Sequence, residues 1–197
     1  MNTDKSYIEL AKSVISSQAK QLTSVASNID SYFIDVLEVI HSSEGKLIFS
    51  GIGKSGLIGR KISSSFRSIG VDSLYVDPIE CLHGDLGTVR DGDIFFLISN
   101  SGQTEEILNL LDTLRMFKVT TVAVTSSTQS DLSIGCDYIL STGAVVEVDP
   151  FNKIPTSSSI AILSLLDSLL VCLLTKNSLS LEELSKFHPA GTLYKRE

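Results

Sequence analysis

Between residues 3 and 43 the chain has neither glycine nor proline, and apolar residues return every three or four positions. They are Ile8, Ala11, Ile15, Leu22, Ala26, Ile29, Phe33, Leu37 and Ile40. That spacing predicts one amphipathic helix, or two broken near Asn28, with Gly45 as the stop. The period then changes. Lys46–Ser50, Ser73–Val76, Asp93–Ile98, Val119–Val124 and Tyr138–Leu140 are short apolar runs that read as strands. Helical spacing fills 54–69, ended by Gly70, and 104–117, where Ile107, Leu108, Leu111 and Leu114 share a side. Two more helices are expected near 157–176 and 180–188, and the stretch after the second strand reads as a glycine-bearing loop.

Short apolar strands alternating with helices predict βαβ units and a parallel sheet covered on both faces. The expected architecture is a single α/β domain, a three-layer αβα sandwich around a five-stranded sheet. A helical arm would occupy about 1–44 and the core about 45–197. Ligands of such sheets sit outside the carboxyl ends of the strands, near the switch in strand order. The loops after the strands are therefore where chemistry is expected.

Composition narrows the partners. The 197 residues carry a net charge of −7, with no basic segment or helix-turn-helix, which argues against nucleic acid and against an anionic membrane. Residues 159–174 are very apolar, but the run is short for a bilayer span and holds Asp167, so a buried core helix is expected. Cys81, Cys136 and Cys172 form no CxxC pair, as in reduced cytosolic proteins, and the N-terminus lacks the apolar region of a signal peptide. The expected location is the cytoplasm. Neither a metal nor a cofactor is expected.

Two loops carry candidate anion chemistry. Gly51-Ile52-Gly53-Lys54-Ser55-Gly56 matches G-x-G-x-x-G between a strand and a helix, and Asp77 stands near where a dinucleotide fold keeps its ribose acid. A nicotinamide-dependent enzyme is thus one reading. Lys54 within the turn suits a compact phosphate or a developing oxyanion better. The second loop, Ser99-Asn100-Ser101-Gly102-Gln103-Thr104, offers five polar side chains in six positions before a helix N-terminus. One would cap a helix; five build a phosphate cradle from hydroxyls, amides and backbone N–H groups. Glu105 and Glu106 follow, about 100° apart on the helix, so one can face solvent while the other leans toward a site.

GIGKSG (51–56), HGDLG (83–87), SNSGQTEEI (99–107), PTSSS (155–159) and FHPAGTLYKR (187–196), in this order, resemble the sugar isomerase (SIS) domain family, and within it the arabinose-5-phosphate isomerase branch. The resemblance implies a flavodoxin-like sandwich and a homotetramer with sites shared between subunits. It implies interconversion of D-arabinose 5-phosphate and D-ribulose 5-phosphate, supplying Kdo for lipopolysaccharide or capsule. Members commonly continue into paired CBS modules; with the last residue at Glu197, a stand-alone SIS form is expected. On the family pattern Ser55, Ser99, Ser101 and Thr104 match phosphate-binding hydroxyls. Lys54, Glu106, Glu147 and His188 match its catalytic residues, and His83 a substrate-contacting histidine. Relatives carry histidine where this chain has Leu57 and Asp77; the latter position is linked with zinc, so zinc binding is not expected here.

The chemistry can also be read from the residues. Aldose–ketose isomerisation moves a proton between C1 and C2 through an enediolate, and needs a base and a group to meet the oxyanion. Glu147 stands among apolar neighbours past the fifth strand, where burial would raise its pKa toward a useful base. Of the histidines, His41 ends a helix beside two serines and needs no function. His83 sits in a loop suited to reading hydroxyls. His188 stands where a helix-terminal cation is ordinary; the resemblance implies proton transfer during ring opening, in a neighbouring subunit's site. A non-catalytic phosphosugar sensor is the alternative. It would need the cradle, with Asn100 and Gln103, but not Lys54, Glu147 and His188 together.

Overall fold

Residues 3–189 are described by the computed structural model. Helices α1 (Thr3–Ser27) and α2 (Ser31–Ser42) divide the first apolar pattern. They part beside Asn28 because Asp30 adopts extended backbone and accepts the Tyr32 N–H at 3.0 Å, capping α2. Gly45 is not the stop. It lies three residues past α2, where a Cβ would collide with the Gly92 carbonyl. The apolar stripe of α1 is largely unpaired within the chain. Asp4–Ser13 is exposed throughout, and only Val25, in the last two turns, is fully buried.

Five strands follow: β1 (Leu47–Gly51), β2 (Ser73–Tyr75), β3 (Ile94–Ile98), β4 (Thr120–Thr125) and β5 (Tyr138–Ser141). All pair in parallel, in the order β2-β1-β3-β4-β5. The registers Leu47–Ile94 and Ile48–Phe95 lock β1 to β3. Every residue of β1 and β3 is buried, as a parallel sheet covered on two faces requires. Phe49, Phe96, Ile98, Val122 and Leu140 point into one core with α2, α3 (Lys54–Arg67), α7 (Ser157–Lys176) and α8 (Leu181–Phe187). Phe49 stacks on Phe66 and Phe96, with ring centroids 5.6 and 4.7 Å apart. Ile48, Phe95, Leu97 and Ala123 face a second core under α4 (Pro78–Leu82), α5 (Glu105–Leu114) and α6 (Asp131–Gly135). The expected three-layer αβα sandwich is thus formed.

The stretch after β2 is more ordered than a loop. Asp77 caps α4 by accepting the Ile79 N–H at 3.0 Å, Pro78 opens the helix, and a 3-10 turn follows at Asp85–Thr88. By length and composition α7 is apolar enough to cross a membrane. It packs as a core helix: Ile162, Leu165, Leu166, Leu169 and Leu173 are buried, and Asp167 pairs with Lys61 of α3 at 2.5 Å.

The chain passes from β2 over to β3 on the other side of β1. The carboxyl ends of β1 and β3 therefore flank the switch in strand order, where such sheets hold ligands.

Candidate functional site at the switch in strand order

A cleft of about 350 Å³ opens at this edge. Lys54, Ser55 and Ile58 line it from the start of α3, Asn100 from the loop after β3, and Glu147 from the segment after β5. The start of α7 contributes Ser158, Ser159 and Ile162, and the preceding loop Asn152, Lys153 and Pro155. Residues distant in sequence meet here because three βα connections end at one edge.

The GIGKSG turn enters α3 through Gly53, whose φ of 60° and ψ of −123° are open only to glycine. No side chain caps α3, so its first amides stay directed at the cleft. Lys54 is exposed and makes no ion pair among the described residues.

The loop after β3 is self-braced. Gly102 has φ 65°, and a Cβ there would collide with the Ser130 hydroxyl. Ser99 is buried; its Oγ accepts the Gly102 N–H at 3.1 Å and shares a 2.7 Å hydrogen bond with the Thr104 hydroxyl. That geometry makes Ser99 a brace within the loop rather than a hydroxyl presented outward. Ser101 and Gln103 are exposed, with Ser101 Oγ accepting the Gln103 N–H. Asn100 is held through its carbonyl, which accepts from Thr125 and Ser126, while its buried side-chain Oδ1 has no partner among the described residues. A buried amide oxygen left over in a ligand-sized cleft is costly unless something docks there. Thr104 is the N-cap of α5 by backbone, yet no side chain caps that helix either. Glu105 is exposed and Glu106 half-buried on its first turn, but Glu106 does not line the cleft.

Glu147 is held at the start of α7. Its Oε2 accepts from the Thr156 N–H at 2.8 Å, the Thr156 hydroxyl at 2.9 Å and the Ser158 N–H at 3.2 Å. Its own N–H donates to Asn152 Oδ1 at 2.7 Å. Burial pushes the carboxyl's pKa up, but the Ser158 and Thr156 hydrogen bonds outweigh it and hold the pKa below the ordinary value. This corrects the expected upward shift. Apolar sequence neighbours do not surround the carboxylate; it caps a helix 20 residues long. These three hydrogen bonds all fall on the one oxygen, Oε2.

The two candidate histidines lie outside this cleft. His83 is exposed at the end of α4. His188 closes α8, half-buried, its N–H donating to Ser185. Its neighbour Phe187 packs over Gly70, just beyond the C-terminal end of α3. Lys54 is at the opposite end of that 14-residue helix, about 20 Å away. Within one chain, His188 and Lys54 do not meet. Residues 190–197, which complete the FHPAGTLYKR stretch, lie outside the described residues.

Reading the sequence overlooked Asn152, Lys153, Thr156, Ser158 and Ser159. The PTSSS motif held a signal for three of them: hydroxyls preceding an apolar helix. Lys153 had none. It reaches the cleft because Asp149 gathers the Phe151, Lys153 and Ile154 N–H groups at 2.8–2.9 Å, folding the loop back.

Known proteins resemble this chain in sequence and in fold. Residues 40–172 match the family model described as SIS domain. A probable arabinose 5-phosphate isomerase from Haemophilus influenzae is 38% identical over 190 residues, covering 96% of this chain and 56% of the relative. The arabinose 5-phosphate isomerase KpsF of Escherichia coli is 33% identical, covering 98% and 59%. The chain thus spans somewhat more than half the length of these curated relatives. Among solved structures, the c3406 protein of E. coli CFT073 in complex with arabinose 5-phosphate superposes with a TM-score of 0.91. It is 34% identical and covers 96% of this chain and all of that one.

Proposed function

The chain belongs to the SIS domain family, and on that premise we propose that it is a phosphosugar isomerase interconverting D-arabinose 5-phosphate and D-ribulose 5-phosphate. The observation that carries this reading is the set facing one cleft: a carboxylate anchored at one oxygen, a lysine without an ion pair among the described residues, and the open N-terminus of α3. A sensor would need only the anion contacts.

In this reading the phosphate docks on the Ser55 hydroxyl, the uncapped amides of α3 and α5, and the Ser101, Gln103 and Thr104 side chains, with Ser99 bracing the loop. Asn100 Oδ1 accepts a sugar hydroxyl. Glu147 Oε1 takes the proton from C2 of the aldose or C1 of the ketose. The C–H electrons form the enediolate C=C bond while the carbonyl electrons move onto oxygen, where Lys54 meets the charge. The proton on the neighbouring hydroxyl passes to the oxygen that took the charge, and the same carboxyl returns its proton to the adjacent carbon as the carbonyl re-forms at the other position. The hydrogen bonds that lower the Glu147 pKa keep it ionised at neutral pH, the state a base needs. Their direction on Oε2 leaves Oε1 to react. His188 opens the cyclic sugar from a neighbouring subunit of a homotetramer, since about 20 Å separates it from the cleft of its own chain. Glu106 and His83 do not line the cleft of their own chain, and in this reading they reach the sugar from the rim of the assembled site. The product supplies Kdo synthesis.

The test is incubation of the purified protein with D-ribulose 5-phosphate and a panel of other phosphosugars, with product identification. Formation of D-arabinose 5-phosphate is expected. Binding of a phosphosugar without turnover of any would replace the isomerase by a sensor.

A further inference from the structure

The base is gripped from a second side by a helix outside every motif above. Gln21, in α1, pairs both backbone groups of Val146: its Nε2 donates to the Val146 carbonyl at 2.6 Å, and its Oε1 accepts the Val146 N–H at 3.2 Å. Val146 directly precedes Glu147. The segment around it lacks regular structure, and Val146 itself is 58% exposed. Thr142 and Gly143 are tied to the end of the sheet through Thr125 and Ser141. Glu147 is tied forward to Asn152. Between these anchors, at residues 144–146, the two bonds to Gln21 are the only backbone hydrogen bonds among the described residues.

Gln21 is itself fixed. It lies one turn before Val25, the fully buried residue of α1, and is half-buried. Seven residues on, the Asn28 side chain abuts Gly143, where a Cβ would collide with its Nδ2. The last two turns of α1 therefore form a wall against the segment that delivers the base.

We infer that Gln21 is a positioning residue for Glu147: its amide holds the Val146 backbone so that the carboxylate reaches the start of α7 with one oxygen anchored and the other toward the substrate. This rests on the isomerase reading. The physical reason is lever length. Misplacing a reacting group by 1 Å costs as much as about 10²-fold in rate, and the Glu147 carboxylate sits at the end of a flexible side chain just past residues 144–146, whose backbone has no other hydrogen bond among the described residues. The α7 anchors remain when Gln21 is removed, so a smaller loss is expected.

The test uses the full chain and Gln21→Met, which keeps length and helix propensity but removes both hydrogen bonds; Gln21→Glu keeps only the acceptor. For Gln21→Met, kcat should fall about 10-fold with KM within about twofold, and Val146 amide exchange should quicken. Gln21→Glu should fall between it and wild type. Oligomeric mass, by light scattering, should not change. A Gln21→Met kcat within about twofold of wild type overturns the inference while the isomerase reading stands. A loss of kcat that accompanies dissociation also overturns it, because α1 would then act through assembly. A wild-type protein inert on every phosphosugar overturns the isomerase reading first and this inference with it.

Discussion

Two depressions lie at opposite edges of the same sheet, and the larger is not the better site. At the amino edge about 720 Å³ opens among Ser43–Lys46, Asp72 and Arg90–Asp93. Four acids line it (Glu44, Asp72, Asp91, Asp93) against two bases (Lys46, Arg90), a poor seat for an anion. Its buried polar group is also saturated: Asp93 accepts the Lys46 N–H at 3.1 Å, the Lys46 ammonium at 2.7 Å and the Arg90 N–H at 2.8 Å. At the carboxyl edge, Lys54 and Lys153 face the single carboxylate Glu147. Among the described residues, the buried side-chain atoms without partners are Ser50 Oγ, Asn100 Oδ1 and Ser157 Oγ, at the end of β1, after β3 and at the start of α7. All three belong to this edge. Where a fold serves only itself, its polar groups pair off. Where it serves a ligand, donors and acceptors are left over.

The helix N-termini divide in the same way. Asp30, Asp77, Ser130 and Ser180 cap α2, α4, α6 and α8 with their own side chains, and none of the four lines the cleft. Helices α3, α5 and α7 have no such N-cap bond. Glu147, in the loop before α7, takes the last of these, and the first two remain open.

The contrast can be broken at either edge. Asp93→Ala, at the amino edge, should cost about 3 kcal/mol by chemical denaturation, because it strands a mostly buried lysine and two amides; kcat at low temperature should not change. Glu147→Gln, at the other edge, should do the reverse. Turnover should fall by about 10²-fold or more with the circular dichroism spectrum intact. Ser55→Ala removes one charge-assisted contact and should raise KM about 10-fold with a smaller effect on kcat. Acid should separate Glu147 from its substitute in a further way. The folded-state pKa of Glu147 is depressed below 4.5, so its stabilising contribution is complete above that pH and is lost as pH falls through the folded value. Melting temperature below pH 4.5 should therefore fall more steeply for wild type than for Glu147→Gln. Smallest of all, Glu105→Gln on the exposed side of α5 should cost about 0.3–1 kcal/mol through the helix dipole and leave kcat and KM unchanged; a changed KM would place Glu105 in the site.

Much of this was legible before any coordinates. The strands announced themselves because both faces of β1 and β3 are covered, so nearly every position is apolar. The GIGKSG and SNSGQT loops stood out because glycines and hydroxyls interrupt such runs at the strand ends. Helix breaks near Asn28 and Gly70 followed from local chemistry. Other features were not legible. Lys153 enters the cleft only through the Asp149 turn, and Ser99 is spent on Gly102 and Thr104. His188 is carried to the wrong end of α3 for its own chain by the packing of Phe187 on Gly70. Each depends on a partner the local pattern does not name.

The sequence by itself determined the alternation of strands and helices, hence a doubly covered parallel sheet, and which loops gather glycines, hydroxyls and amides, because those are properties of neighbouring residues and their periodicity. Only the tertiary structure decided that Glu147 is an anchored, acid-shifted carboxylate rather than a buried, base-shifted one. The donors that settle its pKa belong to Thr156 and Ser158, and the clasp on the backbone of the preceding residue to Gln21, 125 residues from Val146 in the chain. Charge and orientation at a site are set by what surrounds it in space, and that is fixed only when distant segments pack together.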